Sequence, residues 1–352
     1  MVYAINALLI LFWNFLIPSS VVKKKKILCI LYCLQWVILS GFRAYSVGAD
    51  TYAYKVNHFD KTLNASWSDV LVNFANYCRG IDGIKDPGYM IFEKICQIFI
   101  GSNYTLYLLI IAVIFTVPMT VWVYKYSDNV CLSFMIYSAL FYSFFAITGH
   151  RQTIASALVI FGGYECMKKN KIIPLLLLHL IAFFIHKSSI CFIILYFARF
   201  IKVNKWYWIV AFISIVLSFV FKSQLMRLLG RVMGYEQYTD QLEGAGTYTF
   251  TACFVVIVAG AFLFYKKMDM DIDCKYSIVA ATIALFFIPL TYVDPSAMRV
   301  VQYFSIFIML LVPKIISVFN VKSQRIINIL CIAVLLFFIA RSGRAYSFVF
   351  WS

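Results

Sequence analysis

Charge is what this sequence has least of. Of 352 residues, 31 are Lys or Arg and 15 are Asp or Glu, so 13% are charged while 63% are hydrophobic. A soluble domain carries about 25% charge and about 45–50% apolar residues. The shortage excludes a soluble enzyme, a disordered chain and a fibrous repeat. Alternation is missing too. The apolar runs are continuous, which excludes an outer-membrane barrel, whose strands alternate. Paired cysteines are absent as well. The ten cysteines include no C-x-x-C, and Cys29, Cys33, Cys131, Cys166, Cys191, Cys253 and Cys331 lie in or beside apolar runs as small hydrophobes. They form neither a disulfide framework nor a zinc site. The apolar stretch Val2 to Pro18 is followed by charge rather than preceded by it, with no small-residue cleavage site, so it reads as a first span and not a signal peptide. There is no P-loop and no G-x-S-x-G. Asp269-Met-Asp271-Ile-Asp273 imitates a metal loop but lacks the glycine and terminal glutamate of an EF-hand, and reads as a solvated turn beside Lys266 and Lys267.

What remains is a polytopic helical membrane protein. At roughly 20 apolar residues per crossing, the composition supplies around eleven spans. Read along the chain, the runs number twelve: about 3–19, 27–42, 104–124, 131–148, 152–167, 172–185, 188–200, 206–221, 250–265, 276–293, 300–319 and 326–340. The expected fold is all-α, a single transmembrane domain over 1–352. Residues 88–101 are amphipathic, carry Glu93 and Lys94, and are too short to span; they read as a re-entrant or interfacial helix.

Orientation follows from the Lys/Arg bias of the loops. With Lys23 to Lys26 in the cytoplasm, twelve spans place 17 basic and five acidic residues inside, and 14 basic and ten acidic residues outside. Fifteen of the 21 lysines fall inside, whereas eight of the ten arginines fall outside. A guanidinium grips phosphate bidentately and never loses its charge. An outward arginine set therefore points to an anionic ligand at the outer face, against the plainer reading of headgroup contacts. Two outer segments are long enough to build a site, 43–103 and 222–249. The second, with Gly230, Gly234, Gly244 and Gly246 among charges, reads as a lid.

Four constellations lie on that outer side. Arg43, Gly48, Asp50, Thr51, Tyr52 and Tyr54 gather within twelve residues, a mix suited to sugar and phosphate together; a capped interfacial turn with Asp50 as N-cap fits as well. Gly149-His150-Arg151-Gln152 sets an ionisable pair at an apolar boundary, where function or snorkelling can place it. His186-Lys187-Ser188-Ser189 joins two short spans, so its turn sits in a cavity, and a histidine there can serve as a general base. His179, mid-span, reads as packing. Asp294-Pro295-Ser-Ala-Met-Arg299 leads to Tyr303, four residues on and on the same helix face, or else forms an Asp–Arg cap.

The stretch GFRAYSVGADTYAY resembles the signature of the EpsG family, Wzy-like polymerases of bacterial surface polysaccharide, whose pattern is roughly R-x-x-x-V-G-x-D-T-x-x-Y. Arg43, Val47, Gly48, Asp50, Thr51 and Tyr54 match it. Asp86-Pro87-Gly88-Tyr89, Arg151-Gln152-x-Ile-Ala155, Ile185-His186-Lys187-Ser188 and Met298-Arg299 with Tyr303-Phe304 resemble later family elements, in order. The segment 222–249 matches none. The resemblance implies a GT-C-like architecture in the bacterial cytoplasmic membrane, with the active site facing the periplasm or exterior. It implies a glycosyltransferase that needs no metal or other cofactor and moves a glycan chain from undecaprenyl diphosphate onto a lipid-linked repeat unit. In that reaction Arg151, Arg299 and Arg43 are expected to bind the diphosphate, and His186 or Asp50 to deprotonate the acceptor hydroxyl. Tyr54, Thr51, Gln152, Tyr303, Asp294 and Asp86 are expected to contact substrate. Expected partners are the lipid-linked oligosaccharide, membrane lipids, and flippase and chain-length regulator proteins, with no nucleic acid. A glycan ligase of the O-antigen ligase type, a membrane acyltransferase and a lipid-linked oligosaccharide transporter stand as alternatives. An acyl donor typically approaches from the cytoplasmic face, which holds mostly lysines. A transporter would favour charges at mid-membrane depth, where the spans carry almost none.

Overall fold

The computed structural model describes residues 1–81, 83–233 and 247–351. Among these the chain is helical and has no strand; one isolated antiparallel bridge joins Arg43 to Phe348. It divides into two compact units. The first holds Met1–Lys125, Phe134–Ile190 and Ile332–Ser352; the second holds Tyr126–Ser133 and Cys191–Cys331.

In the first unit, α1 (Val2–Leu16) and α2 (Lys24–Gly41) form a hairpin. Lys24 Nζ donates to the Asn14 carbonyl at 2.9 Å, near the C-terminal end of α1 where carbonyls lack helical partners. The Tyr32 hydroxyl ties the pair again at Ile10 O, 3.0 Å. The inner stripe of α2, Leu28, Tyr32, Trp36 and Leu39, recurs at helical spacing and is buried. After α2 the chain turns at Gly48, whose φ of +96° suits glycine; a Cβ there would lie 2.6 Å from the Ile147 carbonyl oxygen.

Four short elements follow: α3 (Thr51–Tyr54), a π turn (Lys55–Phe59), α4 (Asp60–Asn64) and α5 (Trp67–Cys78). Ser66 and Asp69 close a reciprocal capping box on α5. The amphipathic stretch forms α6 (Pro87–Ile100), as its composition predicts. Its polar face is fastened to the preceding turn. Lys94 Nζ donates to the carbonyls of Thr62, Leu63 and Ala65 at 3.1, 3.3 and 2.6 Å, capping the end of α4. Glu93 accepts from the Thr62 hydroxyl at 2.9 Å, and Gln97 Nε2 donates to Phe59 O at 2.8 Å. Next come α7 (Tyr104–Tyr126) and α8 (Val130–Ile136), extended by two π turns (Tyr137–Phe141 and Ser143–Ile147). After α9 (His150–Ser156) a third π turn (Ala157–Gly162) leads into α10 (Gly163–Lys168), and α11 (Ile172–Ile185) follows. In α11, His179 Nδ1 bonds the Leu175 carbonyl one turn back at 2.9 Å, the packed histidine expected there.

The second unit is centred on α15 (Ile272–Phe287), which packs against α12 (Lys205–Val220), α14 (Tyr248–Phe264), α16 (Met298–Ser305) and α17 (Ile308–Ser317). Asp271 of the acidic triplet is structural. Its Oδ1 caps α15 at Cys274 N, 2.7 Å, and its Oδ2 takes Lys314 Nζ at 2.6 Å. α13 (Lys222–Met233) leaves α12 at a bend of 86°, and part of the expected lid, residues 234–246, lies outside the described residues. The last helix, α18 (Val321–Arg341), runs from the second unit into the first.

Among the described residues, three helices are long and apolar enough to cross a membrane, Tyr104–Tyr126, Ile272–Tyr292 and Val321–Arg341, or five if each of two bent pairs is one span. This is fewer than the twelve apolar runs. The predicted spans 131–148 and 152–167 are interrupted by π turns, and Val2–Leu16, Ile172–Ile185 and Tyr248–Phe264 are shorter apolar helices. The run 188–200 is a 3₁₀ helix, Lys187–Phe200, of 14 residues. At about 2 Å per residue such a helix reaches about 28 Å, near the hydrocarbon thickness, where an α-helix of that length reaches about 21 Å.

Candidate functional site

Asp86 is the centre of a polar cluster in the first unit. It occupies the left-handed region at φ +50°, directly before Pro87 at the first position of α6. Aspartate tolerates that conformation better than most residues, and Pro87 is pre-set for the first turn of a helix. Gly88 then allows α6 to lie against α11; a Cβ on it would fall 2.8–3.0 Å from Phe184 atoms, including its backbone. That close approach brings the end of α11 to Asp86.

Three groups converge on the one carboxylate. Arg151, from the start of α9, donates Nη1–H to Oδ2 at 2.9 Å. The His186 ring, just beyond α11, places Nδ1 at 3.3 Å from the same oxygen. The backbone N–H of Lys187 reaches Oδ1 at 3.3 Å. Burial opposes ionisation of Asp86, but the His186 hydrogen bond, the Arg151 guanidinium and the Lys187 N–H outweigh it, and the carboxyl lies below its ordinary value. An ionised Asp86 assigns the His186 proton to Nδ1 and makes Nε2 the basic ring nitrogen.

Aromatic rings hold Arg151 from the other side. Its Nε donates to the Tyr54 hydroxyl at 3.2 Å, and its guanidinium carbon stands 5.5 Å from the Tyr54 ring centroid. Tyr54 stacks on His150 with centroids 4.4 Å apart and planes at 21°. His150 Nε2 meets Arg43 Nη2 at 2.9 Å, and Arg43 also donates to the Ser40 carbonyl. A guanidinium only donates, so Nε2 of His150 is an acceptor. Exposure ranks the members. The Arg151 side chain is 22% accessible, against 6% for Asp86 and 7% for His186, while Arg43 is 1% exposed. Arg151 is thus the cation of this set open to a ligand. Arg43, which the sequence groups with it, is buried at the end of α2 and supports His150.

The remaining predicted residues are distributed as follows. Thr51 is buried, and its hydroxyl donates to Val47 O at 2.7 Å and Ile147 O at 3.1 Å, holding the Gly48 turn. Asp50 takes the N-cap position of α3, yet its side chain makes no capping bond and is exposed. Gln152 is buried in α9. Asp294, Arg299 and Tyr303 belong to the second unit. Asp294 accepts Ser296 N–H at 2.6 Å and caps the 3₁₀ turn Pro295–Ala297, Arg299 stands in the first turn of α16, and Tyr303 is buried.

One residue of the cluster escaped the sequence reading. His58 packs on Tyr54 and Tyr89, with centroids 5.4 and 5.9 Å away, and Tyr54 meets Tyr89 at 5.8 Å. Burial first, then the positive charges of Arg151 and Lys61, lower His58 to about 4, so its ring is neutral. The signal for His58 was its spacing of four from Tyr54, one helix face apart. Among the described residues no group of three or more His, Cys, Asp or Glu side chains could hold a metal ion.

A helical, membrane-embedded chain with an arginine and a histidine fastened to one buried aspartate defines a membrane protein with a polar site at its helix ends. The chain belongs to the EpsG family, whose model matches residues 26–351. Members of that family are Wzy-like polymerases of polysaccharide. No curated protein and no solved structure matches the chain.

Proposed function

We propose that the protein is a polysaccharide polymerase of the bacterial cytoplasmic membrane. It transfers a growing glycan from undecaprenyl diphosphate to the terminal sugar of an incoming lipid-linked repeat unit, at the outer face. The twelve apolar runs serve as spans in this reading, with 188–200 crossing as a 3₁₀ helix. The observation that carries it is the single Asp86 carboxylate shared by Arg151 and His186.

The reaction needs two things that this arrangement supplies. The acceptor hydroxyl oxygen attacks the anomeric carbon of the donor sugar, and the bond from that carbon to the diphosphate oxygen breaks. The electron pair leaves with the lipid diphosphate, so negative charge grows on its oxygens. A preorganised Arg151, held by Asp86 and Tyr54 and partly open to its surroundings, stabilises that charge. The hydroxyl proton passes to His186 Nε2, whose tautomer Asp86 sets. Asp50, exposed and outside this bond network, is not assigned the proton transfer. The substrate contacts fall to Tyr54 and Gln152. Thr51 holds the turn that carries Tyr54. The proposal is built on the first unit alone and assigns no step to Arg299. The chemistry as written uses no metal. Flippase and chain-length regulator proteins are the proposed partners in the membrane.

The test is incubation of the purified protein, with EDTA, with undecaprenyl-diphosphate-linked repeat unit of its host. A ladder of products that Arg151→Ala abolishes supports the reading. A single unchanged band with intact substrate rejects it. One added glycan without further extension points to a ligase.

A further inference from the structure

In the second unit, α12 and α14 both pack on α15 and run antiparallel. Trp208, in the first turn of α12, meets Phe262 and Tyr265 at the far end of α14, with centroids 5.5 and 6.0 Å away. Between the two helices lies a groove of about 1040 Å³. Its floor is buried and apolar, formed by Ala211, Val258 and Leu285, and its walls include exposed Phe212 and Leu263. One end differs from the rest. There Lys205 and Lys266 line the opening, both exposed, and among the described residues no acidic one lines the groove. Lys205 Nζ stands 5.4 Å from the Trp206 ring centroid. Toward the other end the lining is apolar as far as Phe219.

We propose that this groove binds an anionic phospholipid, one acyl chain lying between α12 and α14 and the phosphate held by Lys205 and Lys266. The apolar length suits a hydrocarbon chain, and the paired ammonium groups suit a phosphate at its end. Trp206, Trp208 and Tyr265 beside the lysines form the aromatic level found where a membrane meets water. Charge also separates this occupant from a second copy of the chain. The apolar helices α1, α7, α11, α12, α14 and α18 contain no Asp or Glu, so none of them brings a carboxylate to the two lysines. Within the second unit, the end with Lys205 and Lys266 lies opposite Tyr292, which packs against Phe219 and Tyr248, has Lys222 Nζ 5.6 Å from its ring centroid and precedes the Asp294 turn. The phosphate held by Lys205 and Lys266 is therefore separate from any ligand at that turn.

The experiment is native mass spectrometry of the full-length protein, with phosphatidylglycerol or phosphatidylcholine titrated in. The parent should retain phosphatidylglycerol preferentially. Lys205→Ala/Lys266→Ala should weaken that binding by about tenfold or more, since each lysine near a phosphate contributes on the order of a kcal/mol. Lys26→Ala/Lys322→Ala removes the same charge from exposed positions outside the groove and should leave the preference intact. Ala259→Trp fills the groove from its wall and should reduce binding of both lipids. Equal binding of both lipids by the parent overturns the proposal, as does an unchanged preference in Lys205→Ala/Lys266→Ala. A stable dimer lost in Ala259→Trp would also overturn it and assign the groove to a second copy. Should the double lysine variant fail to fold, raising ionic strength on the parent decides: its preference must fall with salt.

Discussion

Asp86 and Arg151 are 65 positions apart in the chain and meet at 2.9 Å. Both sit at helix starts, one before α6 and the other in the first turn of α9. The aspartate also receives His186, so one buried carboxylate sets the position of a cation and the tautomer of a base. Removing a partner from such a set leaves the others mispaired in a low-dielectric setting.

Arg151→Ala is expected to cut polymer formation by roughly 10²–10³, the usual loss when a preorganised charge at a developing anion is removed. Arg151→Lys should restore little. A single ammonium does not reproduce the guanidinium fork that bridges Asp86 and Tyr54. Initial rates with lipid-linked repeat unit, alongside thermal denaturation in detergent, separate this from misfolding. Full-length polymer from Arg151→Ala would sink the assignment.

Asp86→Asn keeps the side-chain shape, and Asn accepts the left-handed backbone. It should fold but lose activity by roughly 10²–10⁴, because His186 loses the acceptor that fixes its proton. Asp86→Ala should lose activity and about 1 kcal/mol more stability, from the φ of +50°. The sign for pH follows from the lowered carboxyl. Its stabilisation is present above the ordinary aspartate value of about 3.9 and disappears as pH falls through the lower folded value. A denaturation series in acid should show that step in the parent and not in Asp86→Asn.

His58 gives a second pH signature in a different window. Its folded value is depressed to about 4. Its contribution is whole above the unfolded value of about 6.5 and is lost as pH falls from there through about 4. His58→Gln, a neutral replacement, should flatten the loss of thermal stability over that range. A parent and variant that soften equally between those limits would refute the depressed ring.

Gly88→Ala should destabilise by about 1–3 kcal/mol, since its Cβ meets Phe184 backbone and side-chain atoms at 2.8–3.0 Å and α6 must move off α11. Activity should fall with it, because Asp86 precedes that contact and His186 follows it. Gly260→Ala is the matched control. Its nearest neighbours are 3.8 Å away on Ile315, and an alanine there should be neutral or stabilising by up to about 1 kcal/mol. Melting midpoints of the two variants decide between close packing and a generic glycine effect.

Much of this molecule is legible from residue types because lipid constrains them strongly. A chain with 13% charge and long apolar runs has one broad solution, packed helices in a membrane. The start of α6 could be read from Asp86-Pro87, since proline suits a first helical turn. The resemblance in Arg43, Asp50, Tyr54, Arg151 and His186 named the family whose model spans residues 26–351. Span boundaries were less legible. Hydropathy does not distinguish an α-helix from a π turn or a 3₁₀ run, and Lys187–Phe200 shows the difference.

What composition and order determined alone was the class of protein, its helical character and the chemistry of a few polar side chains. Only the tertiary structure decided which of those side chains meet. Arg43 and Arg151 look alike in sequence, yet one is buried on Ser40 and His150 and the other is held, partly open, by Asp86 and Tyr54. The physical reason is that a pattern records how each residue partitions between lipid and water. A hydrogen bond across 65 or 100 positions depends on how closely two helices approach, and here Gly88 against Phe184 sets that distance.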